Sequence, residues 1–442
     1  MSLCPVLDIN DPALRRWQQR RPRPMPEVQD RVREILGEIE QGGEPAVRAR
    51  VRQLDAPNLE NLWVTDDELE AATVDEAQLA AITKMIERVR DFHEVQLGVL
   101  TEGWEELDGT YGWRMDAREG EEDTGLIGQR MMPVRRAGVY VPGGKADYPS
   151  SVAMNTIPAI VAGVQDVILA SPPKQDGSLS AAMLVTARLL GLRRILKAGG
   201  AVAMGALAYG WEGFEPVDLV VGPGNAYVNE AKRQLWGAVG VDQFAAASEV
   251  CVWAHEDAPA DLAAADWLTQ IEHAADNVGV LVVTSHEHAQ EILKAAEDQL
   301  AFAERRESMR AALRDFGVVV VSPDAAQAVG FINALAPEHL SILTEDASQW
   351  ICDIRNAGCI AMGFNTPQSA GDYAAGPSHT LPTSGAARFG GPLNVQTFLK
   401  FQSLIHLSPG DLEVLAPVIE TMGQLEGFPA HANGASVRSR RV

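Results

Sequence analysis

Apolar residues change their period along this chain, and each change marks a new kind of element. Between residues 28 and 54 they recur every three to four positions, with Val32, Ile35, Leu36 and Ile39 on one stripe, which predicts a helix. Thr65-Asp-Asp-Glu68 has the spacing of a capping box ahead of a second helix. Residues 75–100 return to the helical period. From Gly138 the pattern becomes short Val-rich runs separated by helical stretches. Strands are predicted at 137–141, 166–170, 195–198 and 217–221, with helices at 152–162, 181–190, 201–209 and 226–236. The alternation then repeats. Strands are predicted at 250–253, 278–283, 317–321 and 359–362, and helices at 259–275, 288–313 and 323–336. Such alternation calls for parallel βαβ units and a doubly wound sheet.

The predicted fold class is therefore α/β, with two Rossmann-like doubly wound α/β domains and small helical N- and C-terminal extensions. Residues 1–27, rich in Arg and Pro, are expected as an N-terminal arm. Residues 28–137 and 248–391 are assigned to a first α/β domain and 138–247 to a second. Residues 392–442 are expected to form a C-terminal helical extension with a role in subunit contact.

A chain of 442 residues has room for more than one domain and a large core. Its 46% hydrophobic and 22% charged content is that of an ordinary globular protein. A net charge of -23 argues against a nucleic-acid partner, since a polyanion is repelled. The four cysteines, Cys4, Cys251, Cys352 and Cys359, form no CxxC and fit free thiols in a reducing compartment. The first 24 residues carry Arg15, Arg16, Arg20, Arg21 and Arg23 without an apolar core, unlike a secretory signal. No apolar stretch approaches the ~20 residues of a membrane span. A cytoplasmic enzyme without a membrane partner is the expectation.

The candidate chemistry is concentrated in a few stretches. Residues 365–383 are rich in Gly, Pro and small residues and read as an ordered loop, yet they carry Asp372 and His379. Such a loop is either a site or a surface turn with incidental polar residues. Gln270 and His273, three apart on a predicted helix, share one face and could reach one metal ion. The same pair is also what a helix C-terminal His on the dipole and a solvated Gln would look like. No HExxH is present. Glu338 and His339 follow Pro337 and could aim two bases of different pKa at one cleft. A Glu after Pro also suits a helix N-terminus. Glu426 and His431 lie near the C-terminus, where a His is usually solvated.

Gln270, His273, Asp372 and His431 would make an N/O set suited to zinc, but spacing cannot group positions spread across the second half of the chain. Gly222-Pro-Gly-Asn-Ala-Tyr227 follows a strand and precedes a helix, as a phosphate site at a helix N-terminus would. It is GxGxxY rather than GxGxxG, and Gly-Pro-Gly turns are common. His286 and His288 are expected to be solvated, and His93, His255 and His406 lack convergent partners. Cys251 reads as an inert buried thiol, and residues 119–123 as an acidic turn.

Taken together, these stretches resemble the histidinol dehydrogenase family. The resemblance is carried by Gly138-Val-Tyr-Val-Pro-Gly-Gly144, Tyr148-Pro-Ser-Ser-Val-Ala-Met-Asn155, Gly222-Pro-Gly-Asn225, Glu230-Ala-Lys-Arg233 and Gln270-Ile-Glu-His273. Ala336-Pro-Glu-His-Leu340, Ser369-Ala-Gly-Asp-Tyr373 and His379-Thr-Leu-Pro-Thr383 continue it in the family's order. It implies a zinc- and NAD-dependent dehydrogenase that oxidises L-histidinol through the aldehyde to L-histidine. Carried onto matching positions, it implies Gln270, His273, Asp372 and His431 as zinc ligands and Glu338 and His339 as the acid/base pair. His339 would take the hydroxyl proton, and Glu338 would activate water for the second oxidation.

Ser248, His379 and Glu426 match substrate-contacting positions, alongside Gln270, His273, His339, Asp372 and His431. Tyr140 and Asn225 match dinucleotide contacts, and Val202 stands where the family places a Gln. A homodimer is implied, with Glu426 and His431 supplied across the interface. Ala245-Ala-Ala-Ser-Glu249, Ala274 and Ser378 also depart from the family pattern, while every implied ligand and both bases are present. The departures leave two other readings open: a related dehydrogenase of another polar alcohol, such as a sulfopropanediol, and a non-catalytic zinc-binding homologue.

Overall fold

The computed structural model describes residues 3–20, 25–107, 110–118, 124–143, 147–244 and 247–440. Arg21, Arg23, the acidic turn at 119–123, Gly144, Ala245 and Ala246 lie outside the described residues. The chain divides into two compact units, Met1–Glu94 with Arg135–Thr397, and Val95–Val134 with Phe398–Val442.

The first unit holds two parallel sheets. One runs Val6–Asp8, Val318–Val321, Val278–Val283, Glu249–Ala254, His339–Leu343 and Cys359–Met362. The other runs Ile195–Lys197, Asp166–Ser171, Arg136–Tyr140, Leu219–Val221 and Gly240–Val241. Glu249–Ala254 and Val278–Val283 are buried at every residue, as expected of parallel strands covered by helices on both faces. Apart from the edge strand Val6–Asp8, both sheets wind outward in two directions from an inner strand, Glu249–Ala254 in one and Arg136–Tyr140 in the other. This is the Rossmann-like order that the alternating periods predict.

Several elements differ from the sequence expectation. The N-terminal segment is not a free arm: Val6–Asp8 pairs in parallel with Val319, Val320 and Val321. Buried Trp17 anchors the following turn, its indole N–H donating to the Phe316 carbonyl at 3.0 Å. The helix Pro26–Leu54, grouped by sequence with residues 248–391, buries its stripe in the core of the five-stranded sheet. There Val32, Ile35, Ile39 and Val47 share a cluster with Ala201, Met204 and Leu207. An apolar stripe specifies that a helix is covered, not which sheet covers it. Gly43 interrupts this helix at φ 54°. The single helix expected at 288–313 is two, His286–Leu300 and Arg306–Phe316. His288 is buried rather than solvated, with Nε2 3.0 Å from the Ala258 carbonyl. His93 is also buried, with Nδ1 2.7 Å from the Val89 carbonyl.

The second unit is an antiparallel sheet of Glu105–Leu107, Thr110–Asp116, Leu126–Pro133 and Leu399–His406, with helices Pro409–Leu425 and Pro429–Ser439. The tail was expected as helical, yet it includes a strand, Leu399–His406, paired with Leu126–Pro133. Ser408 and Asp411 form a capping box at the start of Pro409–Leu425. Buried Asp411 also accepts from Arg118 and the Gly125 amide. No helix among the described residues is long and apolar enough to cross a membrane.

In the five-stranded sheet, Gly222 leaves its strand at φ 116°, where a Cβ would collide with the Tyr140 carbonyl. Its polar groups are held from both sides. Its N–H donates to Asp242 Oδ2 at 2.8 Å, and Lys232 Nζ donates to its carbonyl at 2.5 Å. Lys232 and Asp242 are almost fully buried and pair at 2.6 Å. Removing one partner strands the other charge, so Lys232→Met should cost roughly 3–5 kcal/mol in urea denaturation. Adding Asp242→Leu should restore much of the loss. An unchanged midpoint in the single variant would show that the bridge does not hold this turn.

Candidate active site

The site is assembled at the amino ends of two neighbouring strands of the six-stranded sheet. The helix Ala325–Leu335 ends on Ala336 at φ 50° and ψ 64°, a left-handed conformation disfavoured by about 1–2 kcal/mol for a residue with a side chain. Pro337 follows, and the strand His339–Leu343 then starts with no intervening loop. That abrupt turn leaves Glu338 and His339 buried at the strand's amino end. The sequence pattern did not reveal this strand, because it is short and begins on His339 directly after Glu338.

The parallel register sets Val250 opposite His339. Glu249, one residue earlier, thereby meets both candidate bases. Its N–H donates to Glu338 Oε2 at 2.8 Å. Its carbonyl accepts from His339 Nδ1–H at 3.0 Å, which aims Nε2 at the other candidate residues. Burial works against a charged His339 ring, but Glu338 and Asp372 outweigh it and hold its pKa well above the usual histidine range.

Gln270 sits in the last turn of the helix Ala260–Ile271 and is 1% exposed. Its Nε2 donates to Asp372 Oδ2 at 3.0 Å and lies 3.4 Å from His339 Nε2. Asn277 Nδ2 donates to the Gln270 carbonyl at 2.6 Å, closing the helix end. His273 lies beyond the helix rather than on it, after the C-cap Glu272, so it does not share a helical face with Gln270. The two still flank one space.

Ser248 Oγ is 3.3 Å from His273 Nδ1. The His273 ring opens onto a cavity of about 890 Å³ that Tyr148, Arg305 and Tyr373 also line. Although one face is exposed, protein crowds the ring on its other sides. That desolvation, helped by the charges of His339 and Arg305, exceeds the pull of Asp372 and holds His273 below its usual pKa.

Asp372 lies on a one-turn helix, Ser369–Tyr373, within the Gly- and Pro-rich loop. Burial alone would raise its pKa; its bond to His339 and the charges of His339, His379 and His273 reverse this and keep it ionised. Its Oδ1 is 3.6 Å from His339 Nε2. His379 Nδ1–H donates to the Asp372 carbonyl at 3.1 Å, so its Nε2 accepts from Ser151 Oγ at 3.0 Å. Burial lowers the His379 pKa despite the nearby carboxylate. Ser151 belongs to the helix Pro149–Val161, which follows the strand Arg136–Tyr140 of the other sheet. The two sheets therefore meet at this site.

Gln270, His273, Glu338, His339, Asp372, His379 and Ser248 are thus brought together. Glu426 and His431 belong to the second unit, where both are exposed at the junction of its two helices. Among the described residues, no three His, Cys, Asp or Glu side chains gather as a metal cluster.

Tyr140 and the Gly222–Asn225 turn lie at the carboxyl ends of adjacent strands, where the winding direction of the five-stranded sheet reverses. The Tyr140 hydroxyl accepts from Gly200 N–H at 3.2 Å, and burial pushes its pKa up to about 12. Asn225 caps the helix Ala226–Leu235 through Tyr227 N–H and Val228 N–H. Val202 is 1% exposed and packs in the core of this sheet, offering no polar atom to a ligand. Residue-type reasoning also passed over Ser151 and Glu249, although both lie within stretches that carried the resemblance or departed from it.

The family profile of histidinol dehydrogenase matches residues 18–439. The histidinol dehydrogenase of Halalkalibacterium halodurans is 42% identical over 412 residues, covering 93% of this chain and 93% of its own length. That of Bacillus subtilis is 41% identical over 413 residues, with 93% of each chain covered. A crystal structure of histidinol dehydrogenase from Elizabethkingia anophelis superposes with a TM-score of 0.88 at 31% identity, covering 100% of this chain and 99% of that one. With near-complete matches in profile, sequence and fold, and with the buried Glu–His pair beside a Gln–His–Asp cluster, this chain belongs to the histidinol dehydrogenase family.

Proposed function

We propose that this protein oxidises L-histidinol through L-histidinal to L-histidine, using zinc and NAD, as the last step of histidine biosynthesis. One observation carries the reading. Glu338 and His339 are buried side by side, each oriented by the Glu249 peptide, beside Gln270, His273 and Asp372. This is the arrangement that two successive proton-coupled oxidations require. The alternatives of another polar alcohol and of a non-catalytic homologue draw no support from this site, where both bases are in place.

The donor set fits a zinc ion. Asp372 is held ionised, His273 is held neutral, and the Gln270 amide faces the carboxylate, giving mixed N and O ligands. His431 is the fourth ligand in this reading, supplied with Glu426 by a second copy of the chain. The second unit supports such a dimer. Its helix Pro409–Leu425 exposes Val414, Val418, Met422 and Leu425, and its strand Leu399–His406 exposes Phe401 and Ile405. Apolar surface of this kind is usually covered by a partner. When bound, zinc supplies an anchor for the substrate's imidazole and amine and lowers the proton affinity of groups around it.

The dinucleotide reading rests on Tyr140, Asn225 and the Gly222 turn at the switch point of the five-stranded sheet, the usual place for such a ligand. Bound there, NAD supplies the hydride acceptor. The 138–247 region thus carries the dinucleotide and the 248–391 region carries the acid/base residues. His379, held by Ser151, and Ser248 complete the substrate pocket. Four free cysteines among the described residues fit the cytoplasm.

The residues then divide two proton transfers. In the first oxidation His339 Nε2, its tautomer fixed through Nδ1–H, takes the hydroxyl proton as the carbinol carbon gives up hydride. In the second, Glu338 accepts a proton from the water that attacks the aldehyde carbon. One carboxylate oxygen is occupied by Glu249 N–H, leaving Oε1 for that water.

The primary test is the NADH yield per L-histidinol consumed by zinc-loaded protein at limiting substrate. About two equivalents are expected from two hydride transfers; a single equivalent would show an aldehyde-releasing enzyme. Glu338→Gln should oxidise the alcohol but slow the aldehyde step by roughly 10²–10⁴-fold, the usual share of a general base. Equal losses in both half-reactions would contradict the division of roles. His431→Ala should lose zinc on dialysis, and full zinc retention by atomic absorption would remove it from the ligand set.

A further inference from the structure

Glu249 contacts both proposed bases through its backbone, while its side chain is engaged elsewhere. Arg20 Nη1 and Nη2 donate to Glu249 Oε1 and Oε2 at 2.6 and 2.9 Å, a two-point clamp across 229 residues of sequence. The Arg20 Nε–H donates to the Trp17 carbonyl at 3.0 Å, and Trp17 is itself pinned to the Phe316 carbonyl. Ser384 N–H donates to Glu249 Oε1 at 2.8 Å. Arg388 Nη2 binds the Gln18 carbonyl at 3.0 Å, tying the turn after Ser384 to the same N-terminal segment. The Glu249 carboxylate is thus held by charge-assisted bonds at both oxygens, and its side chain is 2% exposed.

Glu249 is the first residue of its strand, the position where a strand ladder is weakest. Its N–H is given to Glu338, in a peptide whose Ser248 carbonyl accepts from Val278 N–H at 3.0 Å, and the anchored Glu249 side chain sets where this residue sits between that bond and the carbonyl that faces His339. A shift of Glu249 between its two flanking peptides would move the donor to Glu338 and the acceptor from His339 together.

We propose that Arg20 is a positioning residue for the acid/base pair: its clamp on Glu249 fixes the peptide that orients Glu338 and His339. The inference rests on the assignment of those two residues as the bases. It gives the N-terminal segment a part in the chemistry although Arg20 touches none of the reacting groups. Arg20 also places a positive charge against the Glu249 carboxylate and so opposes the cost of burying it.

The test compares Arg20→Gln, Arg20→Lys and Glu249→Gln with the wild type in the zinc-loaded full chain. Arg20→Gln should lower kcat for both L-histidinol and L-histidinal by roughly ten- to hundredfold while KM and zinc content stay close to wild type, since misplacement of reacting groups by about 1 Å has that effect. Arg20→Lys should restore part of the rate, because it keeps the charge and loses the fork. Glu249→Gln should fall between them. Hydrogen exchange read by mass spectrometry should quicken in peptides covering 248–252 and 337–341 of Arg20→Gln. A variant with lower thermal stability but wild-type kcat would reduce the pair to a structural bridge and overturn the inference, as would unchanged exchange in both peptides. Wild-type protein that fails to oxidise L-histidinol would instead sink the functional reading, and the exchange experiment would still decide whether the clamp orders the Glu249 peptide.

Discussion

Because Val250 stands opposite His339 in the parallel ladder between the strands Glu249–Ala254 and His339–Leu343, Glu249 meets Glu338 and His339 at the strands' amino ends. A slip of one residue would turn His339 to the other face of the sheet. Both strands are buried on both faces, so their register is held by the packed core rather than by the site itself. The polar groups at their ends inherit that rigidity. Gln270, Asp372 and His379 are then added from a helix end and a loop, each tied by a bond to a neighbour in the site or to the opposing sheet.

The electrostatics follow from the same confinement. Three imidazoles lie around Asp372, and their environments drive their proton affinities apart. His339 is held above its usual range by Glu338 and Asp372, whereas His273 and His379 are held below theirs by desolvation. Groups whose proton affinities are separated in this way can take different parts in binding and proton transfer. The two sheets divide the work differently. The five-stranded sheet presents its carboxyl edge and a helix N-terminus, the usual arrangement for a dinucleotide. The six-stranded sheet contributes side chains from its amino edge.

Within the second unit, the helix Pro409–Leu425 and the strand Leu399–His406 expose a series of apolar side chains. Asp411 meanwhile joins the strand-side Gly125 and Arg118 to the helix start. The unit therefore has a polar network of its own and an uncovered apolar face.

Much of this was legible along the chain. The change from a helical to a Val-rich alternating pattern at Gly138 located most strands of both sheets to within a residue or two, because a buried parallel strand must be apolar throughout. Thr65 and Glu68 marked a capping box that the structure contains. The strand His339–Leu343 escaped notice because it starts on a His directly after Glu338 and carries Ser341, and the strand Leu399–His406 because its exposed residues mix Lys, Phe and His. The covering of Pro26–Leu54 by the five-stranded sheet was invisible, since a stripe carries no address. The candidate residues themselves were named from local motifs and family resemblance, but the convergence of Gln270, His339 and Asp372 was not a local property. Sequence alone determined most of the helices and strands and which polar side chains are available, because these depend on periods of two to four residues. Only the tertiary structure decided which polar groups meet, that the Glu249 backbone contacts both Glu338 and His339, and that Arg20 pairs with Glu249, because strand register and packing join residues far apart in the chain.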